Sequence, residues 1–245
     1  MIRVILTALF LFVYFIISLP LLLVEWLISL FAPKWRRRPV IFRWVIFALS
    51  VIRGLSGCRL TVIGKERIPQ NENVLYVGNH QSYFDIVISY SLMTRYTGYI
   101  AKKSMKVIPV LPWIMTYVNC LFLDRSDIRQ GMEIILQAID LVKGGVDVFI
   151  YPEGTRNQHP EKLLEFHKGS FKIAQRTGCP IVPVTITGTR DIFENHMPFI
   201  RRSDVILEYG EPFRFSDLSR EEQKDIHNYT ASIIEKTYNK NKSGA

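Results

Sequence analysis

Only three cysteines occur in 245 residues, Cys58, Cys120 and Cys179, odd in number and widely spaced. That excludes a disulfide framework and suits reduced thiols on the cytosolic side of a cell. The five histidines, at 80, 159, 167, 196 and 227, form no His-x-His or His-Glu-x-x-His arrangement, so no metal is expected. A phosphate-binding P-loop is missing, as is a dinucleotide fingerprint. There is no zinc-finger spacing, no basic region followed by heptads and no aromatic RNA-binding signature, which argues against nucleic acid. No internal repeat or low-complexity segment is found either.

Acidic residues are in short supply. Twenty-two Asp plus Glu face 31 Lys plus Arg, leaving a formal charge of +9. With the nucleic-acid signatures absent, that balance fits attraction to anionic lipid or to an acidic co-substrate. The N-terminus points the same way. Val4 to Val24 is 21 residues without a charge, enough at about 1.5 Å per residue to cross a hydrocarbon core of about 30 Å. No small-x-small cleavage site follows; Glu25, Trp26 and the basic run Lys34-Trp35-Arg36-Arg37-Arg38 come instead. Trp26, Trp35 and Trp44 cluster here as interfacial anchors do. Val40 to Ile52 is apolar but has only 13 residues and contains Arg43, which suits an interfacial or re-entrant helix. The pair either spans the bilayer or dips into one leaflet as a hairpin. The basic run favours a membrane location with the following domain on the cytoplasmic face.

We divide the chain into a two-helix anchor, 1–57, and one domain, 58–245, large enough to bury its own core. Apolar, β-branched runs at 58–64, 73–79, 97–102, 120–124, 146–151, 181–187 and 204–210 read as strands. Helical patterns fall at 83–94, 129–143, 168–177 and 219–239. Such alternation predicts an α/β fold, a mixed and mostly buried sheet flanked by helices.

Two polar breaks carry chemistry. Asn79-His80-Gln81-Ser82-Tyr83-Phe84-Asp85 follows a buried strand and joins an imidazole to a carboxylate. Ser82 and Asp85 also satisfy a helix capping box, a purely structural alternative. Tyr151-Pro152-Glu153-Gly154-Thr155-Arg156 follows another strand and offers close backbone approach, a hydroxyl and a guanidinium fork, which together can grip a phosphate. Its structural alternative is an ordinary strand-ending turn. Glu153 would repel phosphate unless it pairs with Arg156 or accepts a bond from another substrate hydroxyl.

With these two blocks, Phe122-Leu123-Asp124-Arg125 and Ile181-Val182-Pro183-Val184 complete an ordered set of four, and over residues 58 to 213 the chain resembles the glycerolipid acyltransferases, specifically the bacterial-type 1-acylglycerol-3-phosphate acyltransferases. The resemblance implies their α/β fold and transfer of an acyl group from a thioester, acyl-CoA or acyl carrier protein, to lysophosphatidic acid, giving phosphatidic acid. No cofactor is implied. It implies His80 and Asp85 as the catalytic pair, with Arg125, Glu153, Gly154, Thr155, Arg156 and Lys168 as acceptor-binding residues. Two departures bear on head-group preference. Asn157 stands where many relatives carry Ser, and His167 replaces a usual Lys or Arg.

Imidazole, with an unperturbed pKa of about 6.5, can take the acceptor's hydroxyl proton near neutral pH, help worth about 10² to 10⁴ in rate. Asp85 would hold the other ring nitrogen, as in a triad without its serine. Ser82 is a neighbouring candidate nucleophile that direct transfer does not need. Arg125 has its own alternative, a salt bridge with Asp124 or Asp127. Tyr99 and Met105 to Trp113 are candidate acyl-proximal residues or ordinary packing, while Lys102, Lys103, Lys106, Arg201 and Arg202 are donor contacts or a solvated face. Other classes stay open: a different acceptor such as glycerol-3-phosphate or another lysolipid, a phosphatase or thioesterase using water, or a membrane-tethered module that binds polyanions.

Overall fold

A computed structural model describes residues 1–31, 38–124, 127–159 and 162–243. Trp35 and most of the basic run after the first helix lie outside them, as does Arg125. Two apolar helices come first, α1 (Ile2–Phe31) and α2 (Pro39–Ser56), each longer than the apolar run that announces it. Pro39 begins α2 where its missing N–H costs nothing. Gly57, in the left-handed region at φ 72°, ends it by donating its N–H to Gly54 O.

The two helices pack against each other. Trp44 stacks on Tyr14 at 5.2 Å and donates Nε1–H to Ser18 Oγ at 2.8 Å. Near the other end, Arg38 and Glu25 form a buried ion pair at 2.8 Å. Removing either partner strands a buried charge, at a cost of about 3–5 kcal/mol. Trp44 is thus a packing residue between helices, whereas Trp26 is exposed. One side of α1 presents Leu9, Phe12, Ile16 and Leu23 outward. Both helices are long and apolar enough to cross a membrane.

Seven strands follow among the described residues: β1 (Arg59–Ile63), β2 (Leu75–Gly78), β3 (Thr97–Lys102), β4 (Leu121–Leu123), β5 (Asp147–Ile150), β6 (Ile181–Thr187) and β7 (Asp204–Tyr209). They form one sheet in the order β1-β7-β6-β2-β5-β3-β4, parallel throughout except for β6 against β7. All seven match an apolar run in the sequence. Such runs are nearly unbroken because both faces are covered. Tyr76, Phe149 and Val182 point into a core shared with α2 and with α3 (Tyr83–Ser91). Leu75, Val77, Val148 and Ile150 point the other way, toward α5 (Ile128–Lys143), α6 (Lys172–Thr177) and α8 (Ile226–Ser243). The core on the first face runs on into α2, where Ile41, Phe42, Val45 and Ile52 belong to the same cluster.

Two helical expectations are refined, and one helix is new. The stretch at 168–177 begins as a tight 3₁₀ turn over Lys168–Phe171 before α6. The stretch at 219–239 divides into α7 (Arg220–Lys224) and α8 at Asp225, whose backbone leaves the helix at ψ 26° while its carboxylate accepts a bond from Asn228 Nδ2. A short helix without a strong periodic signal, α4 (Leu111–Tyr117), follows Pro109.

Candidate active site

Register brings the two polar breaks together. β2 and β5 are parallel neighbours with Val77 opposite Ile150, so His80 and Glu153, three residues beyond each, meet at the carboxyl ends of the strands. That edge is where open parallel sheets place ligands. On the other side of β2, Asn79 clasps β6 through its side chain, donating to Ile186 O at 2.9 Å and accepting from Ile186 N at 2.8 Å.

His80 and Asp85 form the expected pair, with Nδ1 2.9 Å from Asp85 Oδ2. The same oxygen accepts the N–H groups of Gln81 and Ser82, at 2.6 and 2.7 Å, and Oδ1 accepts the Thr189 hydroxyl at 2.6 Å. Asp85 has no solvent exposure. Since a carboxylate only accepts, Nδ1 carries a proton, and in the neutral imidazole Nε2 keeps its lone pair. The capping box exists too: Ser82 Oγ accepts Phe84 N–H at 2.9 Å and Asp85 caps in return. The capping box and the His80–Asp85 contact therefore coexist, and one carboxylate serves both.

Tyr151 lies flat against the imidazole, ring centres 4.4 Å apart. Its hydroxyl sits 3.1 Å from Ser89 Oγ, which also receives Tyr99 O–H at 3.0 Å. Ser89 spends its single proton on Asp85 O at 2.6 Å, so both tyrosines donate. Burial, with the Asp85 charge adding to it, pushes the Tyr151 phenol well up, which keeps it a neutral donor.

Glu153 does not pair with Arg156. Its Oε1 accepts His80 N–H at 2.6 Å and its Oε2 accepts Leu164 N–H at 3.1 Å, bracing the loop that carries the imidazole. Burial pushes this carboxyl up to about 7, against the pull of those two bonds. Arg156 instead lies over the Tyr83 ring, 3.7 Å from its centre, and pairs with Glu194 at 3.3 Å. Of the two roles open to Glu153, the pairing with Arg156 does not form, for a physical reason. The turn aims Glu153 inward at backbone donors and Arg156 outward along α3.

Gly154 holds φ at +69°, and a Cβ there would come within 2.8 Å of His167 Nε2. Only glycine fits without strain. Thr155 and Lys168 are exposed, and His167 N–H ties its segment to Pro152 O at 2.9 Å. Arg125 lies outside the described residues.

Under this edge a cavity of about 470 Å³ separates α5 from the sheet, with walls from Ile100, Leu123, Ile135, Ile139, Ile150 and Pro152. Gly154 and His167 also border it. Tyr99 is not on its wall; it is buried and stacked on Phe149 at 4.7 Å. Nor does any residue from Met105 to Trp113 line it. Of the candidate donor contacts, Lys103 pairs with Asp124 at 3.1 Å and Lys106 sits 5.0 Å over the Phe122 ring. Sequence reasoning missed Thr189 and Glu194, which fall in no motif and reach the heptad only through the pairing of β6 with β2.

Residues 59–187 match the acyltransferase family model. A chloroplastic 1-acyl-sn-glycerol-3-phosphate acyltransferase of Brassica napus is 40% identical over 149 residues, 60% of this chain and 41% of that protein. A 1-acyl-sn-glycerol-3-phosphate acyltransferase of Haemophilus influenzae is 31% identical over 181 residues, 70% of this chain and 72% of that one. The chain spans about half or less of the length of its plant and algal relatives, 41% and 53% in two cases. The crystal structure of the 1-acyl-sn-glycerophosphate (LPA) acyltransferase PlsC from Thermotoga maritima superposes with a TM-score of 0.70 at 25% identity, covering 98% of this chain and 97% of that one.

Proposed function

Because this chain belongs to the acyltransferase family, we propose that it moves a fatty acyl group from a thioester to the sn-2 hydroxyl of 1-acyl-sn-glycerol-3-phosphate, forming phosphatidic acid. The observation that carries this is the His80–Asp85 pair, whose other ring nitrogen meets no hydroxyl among the described residues. Ser82, the neighbouring hydroxyl, has no exposure and donates to Glu194 Oε2 at 2.6 Å while capping α3. It is spent on structure, which favours direct transfer over a covalent acyl-enzyme.

In the proposed step the acceptor's hydroxyl oxygen attacks the thioester carbonyl and its proton passes to His80 Nε2. Asp85 stabilises the imidazolium that forms. The tetrahedral intermediate then expels the thiolate, which takes the proton back from Nε2, so ester and free thiol leave in equal number. The acceptor's phosphate sits at the Gly154-Thr155-Arg156 turn with Lys168, where charge-assisted bonds from a planar fork suit a dianion. Arg125 would complete that set. The cavity beneath α5 supplies an apolar recess beside this turn for an acyl chain.

Location follows from the same reading. α1 and α2 dock the domain on the cytoplasmic face of the cell membrane, within reach of a lipid acceptor and a water-soluble acyl-CoA or acyl carrier protein donor. An acceptor panel tests the assignment: lysophosphatidic acid, glycerol-3-phosphate, lysophosphatidylcholine and monoacylglycerol, each with palmitoyl thioester. Lysophosphatidic acid should give the highest kcat/KM. Preference for an acceptor without a terminal phosphate would refute the phosphate site, and release of free fatty acid with none acylated would point to a thioesterase.

A further inference from the structure

Glu194 belongs to none of the four blocks, yet it joins two of them. Its side chain is 8% exposed. Oε1 accepts Tyr83 N–H at 2.7 Å and lies 3.3 Å from Arg156 Nη1, while Oε2 receives the Ser82 hydroxyl at 2.6 Å. A buried carboxylate is costly unless its oxygens are filled, and here the start of α3 and one guanidinium fill them. Ser82 and Tyr83 lie between His80 and Asp85 in the chain. The group that holds Arg156 therefore also holds the turn bearing the imidazole.

Arg156 is fixed from three directions. Glu194 takes one N–H of Nη1, the Tyr83 hydroxyl takes one of Nη2 at 3.1 Å, and the Tyr83 ring supports its face at 3.7 Å. A guanidinium has five N–H donors, so most of its fork stays available. The Arg156 side chain is 36% exposed, open to a ligand from outside. Packing alone does not require a half-exposed arginine to be clamped this way; presenting its remaining donors to an anion does.

We infer that Glu194 is a positioning residue for the acceptor: it sets Arg156 at a fixed distance from the His80–Asp85 pair, so that a phosphate held by Arg156 puts the sn-2 hydroxyl at Nε2. The inference rests on the acyl-transfer reading. It gives the bond between Glu194 and α3 a task in substrate geometry beyond capping the helix.

The test is a double-mutant cycle in the full-length, detergent-solubilised protein, with lysophosphatidic acid as acceptor and palmitoyl thioester as donor. Glu194→Gln keeps the size and one acceptor oxygen but removes the charge facing Arg156. It should raise the acceptor's KM about tenfold and leave the donor's KM within about twofold. Arg156→Lys should raise the acceptor's KM about 30-fold, more than it disturbs the donor's. The double variant should stay near that 30-fold and not approach the roughly 300-fold of independent effects, because both changes break one interaction. Tyr83→Phe, at an exposed side chain where folding is not at issue, should raise the acceptor's KM about two- to threefold with the donor's unchanged.

Additive effects, or equal losses for donor and acceptor, would overturn the inference and leave Glu194 a helix cap. A fall in the acceptor's KM in Glu194→Gln would also overturn it, showing that the carboxylate competes with phosphate for Arg156. Wild type that transfers no acyl group to any acceptor would take the functional reading down, and the positioning role with it. Wild-type transfer with an unchanged KM in Glu194→Gln would remove the positioning role alone.

Discussion

Asp85→Asn separates the two tasks of one carboxylate. Asp85 accepts from His80 Nδ1, two backbone N–H groups and the Thr189 hydroxyl, at 2.9, 2.6, 2.7 and 2.6 Å. An asparagine in the same rotamer keeps a carbonyl oxygen on the imidazole and backbone side, and its amide can donate to Thr189 Oγ1 instead of accepting from it. The cap survives and the negative charge does not. Losing a charge from a helix N-terminus costs about 0.3–1 kcal/mol, or a fall in Tm of roughly 1–4 °C for a protein of this size. The chemical loss should be far larger. The imidazolium that forms when His80 takes the substrate proton would face a neutral amide, and the same change in a serine-protease triad costs about 10⁴ in turnover. We expect about a 10³-fold drop in kcat, or about 4 kcal/mol of transition-state stabilisation. Initial rates of thiol release, with lysophosphatidic acid present, and thermal denaturation of the same preparation measure the two numbers together. A kcat within tenfold of wild type would refute the role given to Asp85. A Tm fall of 10 °C or more would refute the claim that asparagine preserves the cap.

Burial holds the Glu153 carboxyl at about 7 in the folded protein, above its ordinary 4.5. The folded state therefore keeps a proton that the unfolded chain has released between those values. This group's contribution to stability is fully present below pH 4.5 and is lost as pH rises through 7, by about 3 kcal/mol. Glu153→Gln should abolish that dependence; denaturation of both proteins at pH 5 and pH 8 should show wild type gaining relative to the variant at the lower pH, and a gain at the higher pH would contradict the assigned direction. Gly154→Ala should destabilise the turn by about 1 kcal/mol or more, from the positive φ and the 2.8 Å approach to His167, and raise the acceptor's KM in steady-state kinetics. Serines in place of Leu9, Phe12, Ile16 and Leu23 on the exposed side of α1 should abolish co-flotation with anionic lipid vesicles. Flotation that persists would place the membrane contact elsewhere.

Much of the fold was legible because both faces of a mostly parallel sheet are covered, which writes each strand as an apolar run. The heptad was legible because its pairing is local, five residues apart in one turn. Glu194 was not, since it meets Tyr83 across 111 residues. That meeting exists only after β6 has paired with β2 and delivered the following loop to the start of α3. Of the two roles open to Glu153, the pairing with Arg156 does not form for a related reason: its carboxylate turns inward to the His80 and Leu164 N–H groups, while Arg156 meets Glu194. Tyr99 and Met105 to Trp113 do not line the cavity beside α5; apolar residues that line a void and those that fill a core have the same composition, so the sequence does not distinguish them. The contacts of Trp44 were not legible either, since its partners Tyr14 and Ser18 lie on the adjoining helix.

The central claim is acyl transfer by His80 to a lipid hydroxyl. Its most direct test is conversion of lysophosphatidic acid by the purified protein with radiolabelled palmitoyl donor, offered as the CoA thioester and as the carrier-protein thioester, with His80→Ala alongside. The account predicts labelled phosphatidic acid from wild type with at least one donor and a loss of about 10³-fold or more in the variant. Equal product from His80→Ala, or no acylated lipid from wild type with either donor, would contradict it.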